Sequence, residues 1–390
     1  MKILFTGGGT GGHVVPIIAI VREIKKIYLE KDLQFFFLGP KDEVSSTLLS
    51  QEGIKVKTIL AGKIRRYISG KAFFKNLIDI CIKIPIGILQ SFLYIFFLSP
   101  DLIFSKGGFG SIPGVFAGKL LFVPIFLHES DTTPGFANKL LRGFALEIFA
   151  SFPKTESFSL KKLILVGNPI RRELLKGSKE EAKSLFKLNS RATAKGEEED
   201  LSSSPLVKPV ILILGGSQGA QRINDEILEI LPRLLENFEV IHQCGKNNYA
   251  TIKAELKLII NKDLEPFYHL YSFLKESELR QAYAAADLIV SRAGSGSIFE
   301  IAAVGKPSIL IPLSESAQNH QVKNAYTYQE SGACLVMEEN NFTSHFFLEK
   351  LKSLFTDPEA LKKMSEEAKG FSRPEAGWII ANYLVAYLTI

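Results

Sequence analysis

Two stretches hold residue types that could do chemistry: GGGTGGH at positions 7–13 and GGSQGA at 215–220. Glycines let the backbone take positive φ and let a ligand approach the main chain closely. An apolar strand pattern precedes each run. Residues at helical spacing follow it: Val14, Ile17, Ile18, Val21, Ile24 and Tyr28 after the first, Ile223, Ile227, Ile230 and Leu234 after the second. A strand, a glycine turn and a helix aim unpaired N–H groups and a positive dipole end at whatever sits over the turn. The chemistry expected at both places is the binding of a phosphate-bearing or otherwise anionic ligand.

The elements that must position these turns read as two doubly wound α/β halves. Strand 101–105 runs into SKGGFGSIPG, and a strand beginning near Val123 runs into HESDTTPG. In an open parallel sheet the ligand lies beyond the carboxyl ends of the strands, so turns 7–13, 106–111 and 128–133 are expected to line one cleft. A strand at 163–166 precedes GNPIRREL, which makes Arg171 available for a phosphate. Later, strand 288–294 enters GSGS and a helix carrying Glu300, and strand 308–313 precedes SESAQNHQVKNA. The repeated design marks two similar domains, with a cleft between them as the expected ligand site.

Gly7, Gly9 and Gly12 satisfy G-x-G-x-x-G, but the strand at 33–39 ends in Leu38, Gly39 and Pro40, without the acid that would bond a ribose. An NAD- or FAD-linked oxidoreductase built on those glycines is therefore a competing class, and a non-catalytic lipid-binding protein is another. Composition is globular, with 46% hydrophobic and 23% charged residues. A net charge of +6 is too mild to argue for a nucleic-acid partner. Cys81, Cys244 and Cys334 are too scattered for a zinc site or a disulfide framework, so a reducing compartment is expected. Glycines interrupt the first apolar run, so no signal-peptide core is expected there.

Two segments bear on membranes. Residues 84–98 carry no charge, but at 15 residues they fall short of the roughly 20 a span needs, so a largely buried crossover helix is expected. Residues 63–78 hold five basic residues and no acid, interleaved with apolar ones. Either this is an ordinary solvated loop and helix, or Ile64, Arg65, Arg66, Tyr67, Lys71, Phe73, Phe74 and Lys75 form a patch on an anionic bilayer. Residues 189–209 read as a flexible insertion.

The blocks GGGTGGHVVP, GGFGSIPG, HESDTTPG, VGNPIR, GGSQGAQRIN, RAGSGSIFEIAAVGKP and HQVKNA together resemble the MurG family of peptidoglycan glycosyltransferases, in the family's order and over nearly the whole chain. The resemblance implies the GT-B fold: two Rossmann-like domains facing a cleft, with the C-terminal helix crossing back to the first. The implied domains are 1–163 for the acceptor lipid and the membrane, 164–370 for the UDP-sugar, and 371–390 for the returning helix. The implied reaction moves N-acetylglucosamine from its UDP donor, with inversion, onto an undecaprenyl-linked muramyl-pentapeptide, at the cytoplasmic face of the cell membrane. A GT-B enzyme acting on another lipid, such as diacylglycerol, is the near alternative.

Residue roles follow from that resemblance. Glu300 would bond the ribose hydroxyls. Ser217, Gln218 and Gly219 would hold the diphosphate with Arg171, next to Ser295, Gly296 and Ser297. Phe273 and Leu274 match a uracil-contacting pair, with core packing as the other reading. His320 and Gln321 would bond sugar hydroxyls, and Thr10, Gly11, Gly12 and Asp131 would meet the donor from the other domain. His13 is either the general base or a phosphate-positioning group, and Glu129 is a rival base. No D-x-D pair occurs and no cofactor is implied, so helix dipoles and Arg171 would stabilise the diphosphate in place of a metal. The chain departs from the family at Asp131 (commonly Asn), Phe109 (commonly Tyr) and Phe299 (commonly small), and in the insertion.

Overall fold

Short runs rich in Ile, Leu, Val and Phe, cut off by glycine, serine or proline, form two sheets of parallel strands. The computed structural model describes residues 1–8, 11–30, 32–63, 70–153, 155, 158, 160–188, 208–216, 219–316 and 319–389. The chain divides into two compact units, Met1–Arg171 with Arg373–Ile390, and Arg172–Ser372.

In the first unit the strands are β1 (Lys2–Thr6), β2 (Gln34–Gly39), β3 (Lys55–Thr58), β4 (Leu102–Ser105), β5 (Ile125–Glu129), β6 (Glu147–Ala150) and β7 (Leu163–Leu165), in the order β3-β2-β1-β4-β5-β6-β7. Both faces are covered, which is why the central strands read as unbroken apolar runs. Ile3, Phe5 and Phe126 point into one core cluster, and Leu4, Ile125 and Leu127 into the other. The helix Ala376–Thr389 lies on the helix Gly11–Ile27 and buries Ile380, Ala381 and Leu384 in the first cluster.

The second unit has β8 (Val210–Leu214), β9 (Glu239–Gln243), β10 (Tyr268–Tyr271), β11 (Leu288–Ser291), β12 (Ser308–Leu310) and β13 (Cys334–Val336), in the order β10-β9-β8-β11-β12-β13. Both sheets reverse direction beside their first strand, between β1 and β4 and between β8 and β11. That reversal opens a crevice at the carboxyl ends of the strands.

Three expectations change. The first unit extends to Arg171 rather than 163, because β7 pairs with β6 as the sheet's last strand. Strand β12 stops at Leu310, ahead of Pro312, which has no N–H to offer a neighbour. The third change concerns residues 84–98, expected to be largely buried. They continue a helical run, Phe74–Leu98, of 25 residues with a π turn at Asp79–Lys83. Only Gly87, Ser91 and Ile95 of Ile84–Leu98 are buried, on the face packed against the helix Ile112–Leu120. Leu89, Leu93, Phe96 and Phe97 are 50–80% exposed.

Because Ile380 is fully buried, Ile380→Ala is expected to lower the stability of the first unit by about 2–5 kcal/mol. A urea midpoint equal to that of the unsubstituted chain would show that the returning helix is not part of that core.

Candidate functional site

In the first unit, the turns after β1, β4 and β5 come together at the β1/β4 crevice. The Gly8 N–H donates to the Gly107 carbonyl at 3.0 Å, and the Lys106 N–H to the Thr6 carbonyl at 2.8 Å. His13 lies in the first turn of its helix, half-buried, with its imidazole between two glycine backbones. A Cβ at Gly8 would sit 3.0 Å from the His13 Nδ1, and one at Gly108 would sit 2.8 Å from its Nε2. Gly108 has φ 81° and ψ 165°, a region open essentially to glycine alone. Glycine is therefore required twice over: for the backbone and for the ring beside it. Gly11 and Gly12 are exposed at the start of the same helix.

Behind this rim lies a buried polar cluster. Glu129, 3% exposed, accepts from the Asp131 N–H (3.0 Å), the Gly135 N–H (3.0 Å) and the Asn138 Nδ2 (2.9 Å). Burial pushes its carboxyl up to about 7, with the nearby Asp131 adding to the rise and the three donors opposing it. This carboxylate is committed to shaping the 130–135 turn. Lys106, 2% exposed, donates to His128 Nδ1 (2.8 Å), Ser130 Oγ and Asn168 Oδ1 (3.3 Å). His128 in turn donates from Nε2 to the Gly167 carbonyl at 3.1 Å. Burial and the adjacent ammonium hold His128 neutral, well below its ordinary range. Asp131 is half-buried on the turn itself, and Arg171 is half-buried three residues beyond Asn168.

The second unit repeats the plan. Gly216 (φ 71°) and Gly219 (φ 65°) turn the chain from β8 into the helix Gln221–Asn237. A Cβ at Gly219 would collide with the Cys244 carbonyl, so the turn is pressed against the end of β9. A buried chain of hydrogen bonds backs it. Tyr268 Oη donates to His242 Nδ1 (2.7 Å), His242 Nε2 to Asn224 Oδ1 (3.0 Å), and Asn224 Nδ2 to the Cys244 carbonyl (3.1 Å). Burial pulls His242 down to about 3, so it stays neutral.

Across the β8/β11 crevice, the helix Ser295–Val304 brings Ser295, Gly296, Ser297 and Glu300 together. Glu300 is 8% exposed, and its Oε2 accepts from Tyr283 Oη at 3.2 Å. Phe299 is absorbed into the core against Phe371, at 5.4 Å between ring centroids. Phe273 is half exposed, whereas Leu274 is buried and its N–H donates to Gln243 Oε1 (2.9 Å). Leu274 therefore lies on the core side of that pair. His320 opens the helix His320–Gln329, and Gln321 spends its Oε1 on the Leu313 N–H (3.0 Å).

Thr10, Ile64, Arg65, Arg66, Tyr67, Ser217, Gln218 and nearly all of the 189–209 insertion lie outside the described residues, as do the side chains of Lys71 and Phe73. Phe74 and Lys75 are exposed. Among the described residues no cluster of histidine, cysteine, aspartate and glutamate could hold a metal ion. Sequence reasoning missed Lys106, His128, Asn168 and the Asn224–His242–Tyr268 chain. Lys106 and His128 sit inside quoted motifs, and a lysine directly after an apolar strand was the available signal.

Gly108→Ala is expected to cost about 1–3 kcal/mol for the backbone alone and to displace the His13 ring. An unshifted His13 resonance in the ¹⁵N NMR spectrum, together with an unchanged urea midpoint, would reject the glycine clamp.

Comparison with known proteins agrees with this architecture. The model of the glycosyltransferase family 28 N-terminal domain matches residues 3–150, and that of the family 28 C-terminal domain matches residues 210–377. The chain is 37% identical over 362 residues, 92% of its length and 91% of the relative's, to the UDP-N-acetylglucosamine–N-acetylmuramyl-(pentapeptide) pyrophosphoryl-undecaprenol N-acetylglucosamine transferase of Clostridium tetani. It is 36% identical over 371 residues, 95% and 96% of the two lengths, to a protein of the same name numbered 2 in Bacillus thuringiensis subsp. konkukian. The crystal structure of Acinetobacter baumannii MurG superposes with a TM-score of 0.70 at 23% identity, covering 99% of both chains, which shows a shared GT-B fold. Two parallel sheets with glycine turns at both switch points, matched by both family models, make this chain a member of glycosyltransferase family 28.

Proposed function

We propose that the chain moves N-acetylglucosamine from UDP-N-acetylglucosamine onto the muramyl C4 hydroxyl of undecaprenyl-pyrophosphoryl-MurNAc-pentapeptide, with inversion, a step of peptidoglycan synthesis. The observation that carries this reading is the match over 92% of the chain to a relative bearing that activity in its name. In this reading the second unit binds the donor. The 215–219 turn meets the diphosphate with its N–H groups, Glu300 bonds the ribose, Phe273 flanks the base, and His320 and Gln321 meet the sugar. The first unit binds the acceptor, with His13 taking the hydroxyl proton as the anomeric carbon is attacked. Glu129 serves as the clamp of the 130–135 turn, because its oxygens already accept three donors.

The test is transfer of radiolabel from UDP-N-acetylglucosamine to the muramyl lipid, run beside diacylglycerol. Label entering the muramyl lipid supports the reading, and label entering only diacylglycerol replaces it. Glu300→Ala is expected to weaken UDP binding about 10- to 100-fold, the worth of a hydrogen bond to a charged group. Unchanged affinity would remove Glu300 from the ribose.

The same reading puts the protein on the cytoplasmic face of the membrane as a peripheral protein. Supporting this, Leu89, Leu93, Phe96 and Phe97 are exposed on one face of Ile84–Leu98 while Gly87, Ser91 and Ile95 are buried. A helix tied down along one face can lie on a bilayer, but it would have to unpack to cross one. Replacing Leu89, Leu93 and Phe96 together by Gln is expected to release the protein from anionic vesicles in flotation; retention would mean another surface does the binding.

A further inference from the structure

Lys106 is a lysine where burial disfavours a charge, and its ammonium has three N–H groups facing three acceptors: His128 Nδ1, Ser130 Oγ and Asn168 Oδ1. A neutral amine offers only two N–H groups and one lone pair, so this arrangement suits the protonated form. Because His128 accepts at Nδ1, it carries its proton on Nε2, and that proton goes to the Gly167 carbonyl at 3.1 Å. One cation therefore ties the end of β4 to the turn after β5 and to the 167–168 segment after β7. Asp131 follows Ser130 directly, and Arg171 lies three residues beyond Asn168.

We propose that Lys106 is a positioning residue for the acceptor subsite, its ammonium holding the Ser130–Asp131 turn and the Asn168 segment in register across the first unit's crevice. The inference rests on the reading that the first unit takes the acceptor. Lys106 touches no reacting atom; it acts through Ser130, His128 and Asn168. The charged and titratable groups around it are His128, Glu129 and Asp131 from β5 and its turn, and His13, whose Cβ and that of Lys106 both approach Gly7. Arg373 packs beside Gly167, where His128 donates. Burial lowers the Lys106 ammonium to about 8, with Glu129 and Asp131 opposing the fall. Glu129, at about 7, titrates below it.

Loss of the proton removes one of three donors, so acceptor KM should rise as pH passes about 8. The sign for stability is opposite. With its folded value below the ordinary 10.5, Lys106 binds more protons in the unfolded chain between the two values, so its own contribution to stability increases with pH there. Weakened acceptor binding without a fall in melting temperature separates this effect from unfolding.

The experiment measures KM for the muramyl lipid from pH 6.5 to 9.5 in the full chain, in Lys106→Met and in Lys106→Arg. Lys106→Met is expected to raise acceptor KM about tenfold, the scale of losing charged hydrogen bonds, and to flatten the alkaline limb. Lys106→Arg keeps its charge throughout and should lose the limb as well. A limb that persists in Lys106→Arg belongs to another group and overturns the proposal, as does an acceptor KM in Lys106→Met equal to that of the native chain. Should Lys106→Met not fold, the native chain and Lys106→Arg carry the same comparison. Should the native chain transfer nothing, the function fails first, and the ¹³Cε resonance of Lys106 decides the rest: a midpoint near 8 supports the buried tie, and one at the ordinary lysine value overturns it.

Discussion

A parallel sheet obliges every connection to carry the chain back to the same end of the strands, and that constraint decides where chemistry can occur in this protein. Each strand delivers its polar turn to the carboxyl end, so residues far apart in sequence meet there. Gly8 and Gly107 belong to two different turns and His128 to the end of β5, yet all three share one rim, and Gly219 is pressed against the Cys244 carbonyl just after β9. Where the strand order reverses, neighbouring crossovers leave on opposite faces and the rim opens. Both units place glycine turns and a helix start at that opening, the arrangement that suits an anionic ligand.

The rims are held by buried polar groups rather than by further apolar packing. In the first unit the three donors on Glu129 and the three acceptors around Lys106 leave the charged groups well partnered, which is the condition for burying them at tolerable cost. The second unit uses a neutral chain, Tyr268 to His242 to Asn224, ending on a backbone carbonyl next to the glycine turn. Charge behind one turn and neutrality behind the other make the two rims chemically different, although the folds repeat.

Much of this was legible in the sequence because local signals and tertiary demands agree. Alternating apolar runs and glycine turns gave the strands and their polar ends, and Ile223, Ile227, Ile230 and Leu234 line up in the core as their spacing requires. Residues 84–98 misled because an uncharged helix reads the same whether its faces meet protein or something else, and only packing shows that most of it stays uncovered. Lys106 was overlooked for the opposite reason: a lysine in a glycine-rich turn reads as surface, and its burial follows from β5 and β7, which lie far along the chain. The limit of the first unit was misjudged because β7 is a three-residue strand whose allegiance is set by pairing with β6.

The first unit is discontinuous: its sheet is complete by Arg171, but the helix that seals one face of its core comes from residues after Ser372. During synthesis on the ribosome that helix emerges only after the whole second unit. Until then the face formed by Ile17, Val21 and Phe126 stays uncapped, while the second unit has its full sequence and can close. The amino-terminal half is thus the last to mature, and the interval before its seal arrives is when the nascent protein is most exposed to chaperones, proteases and self-association.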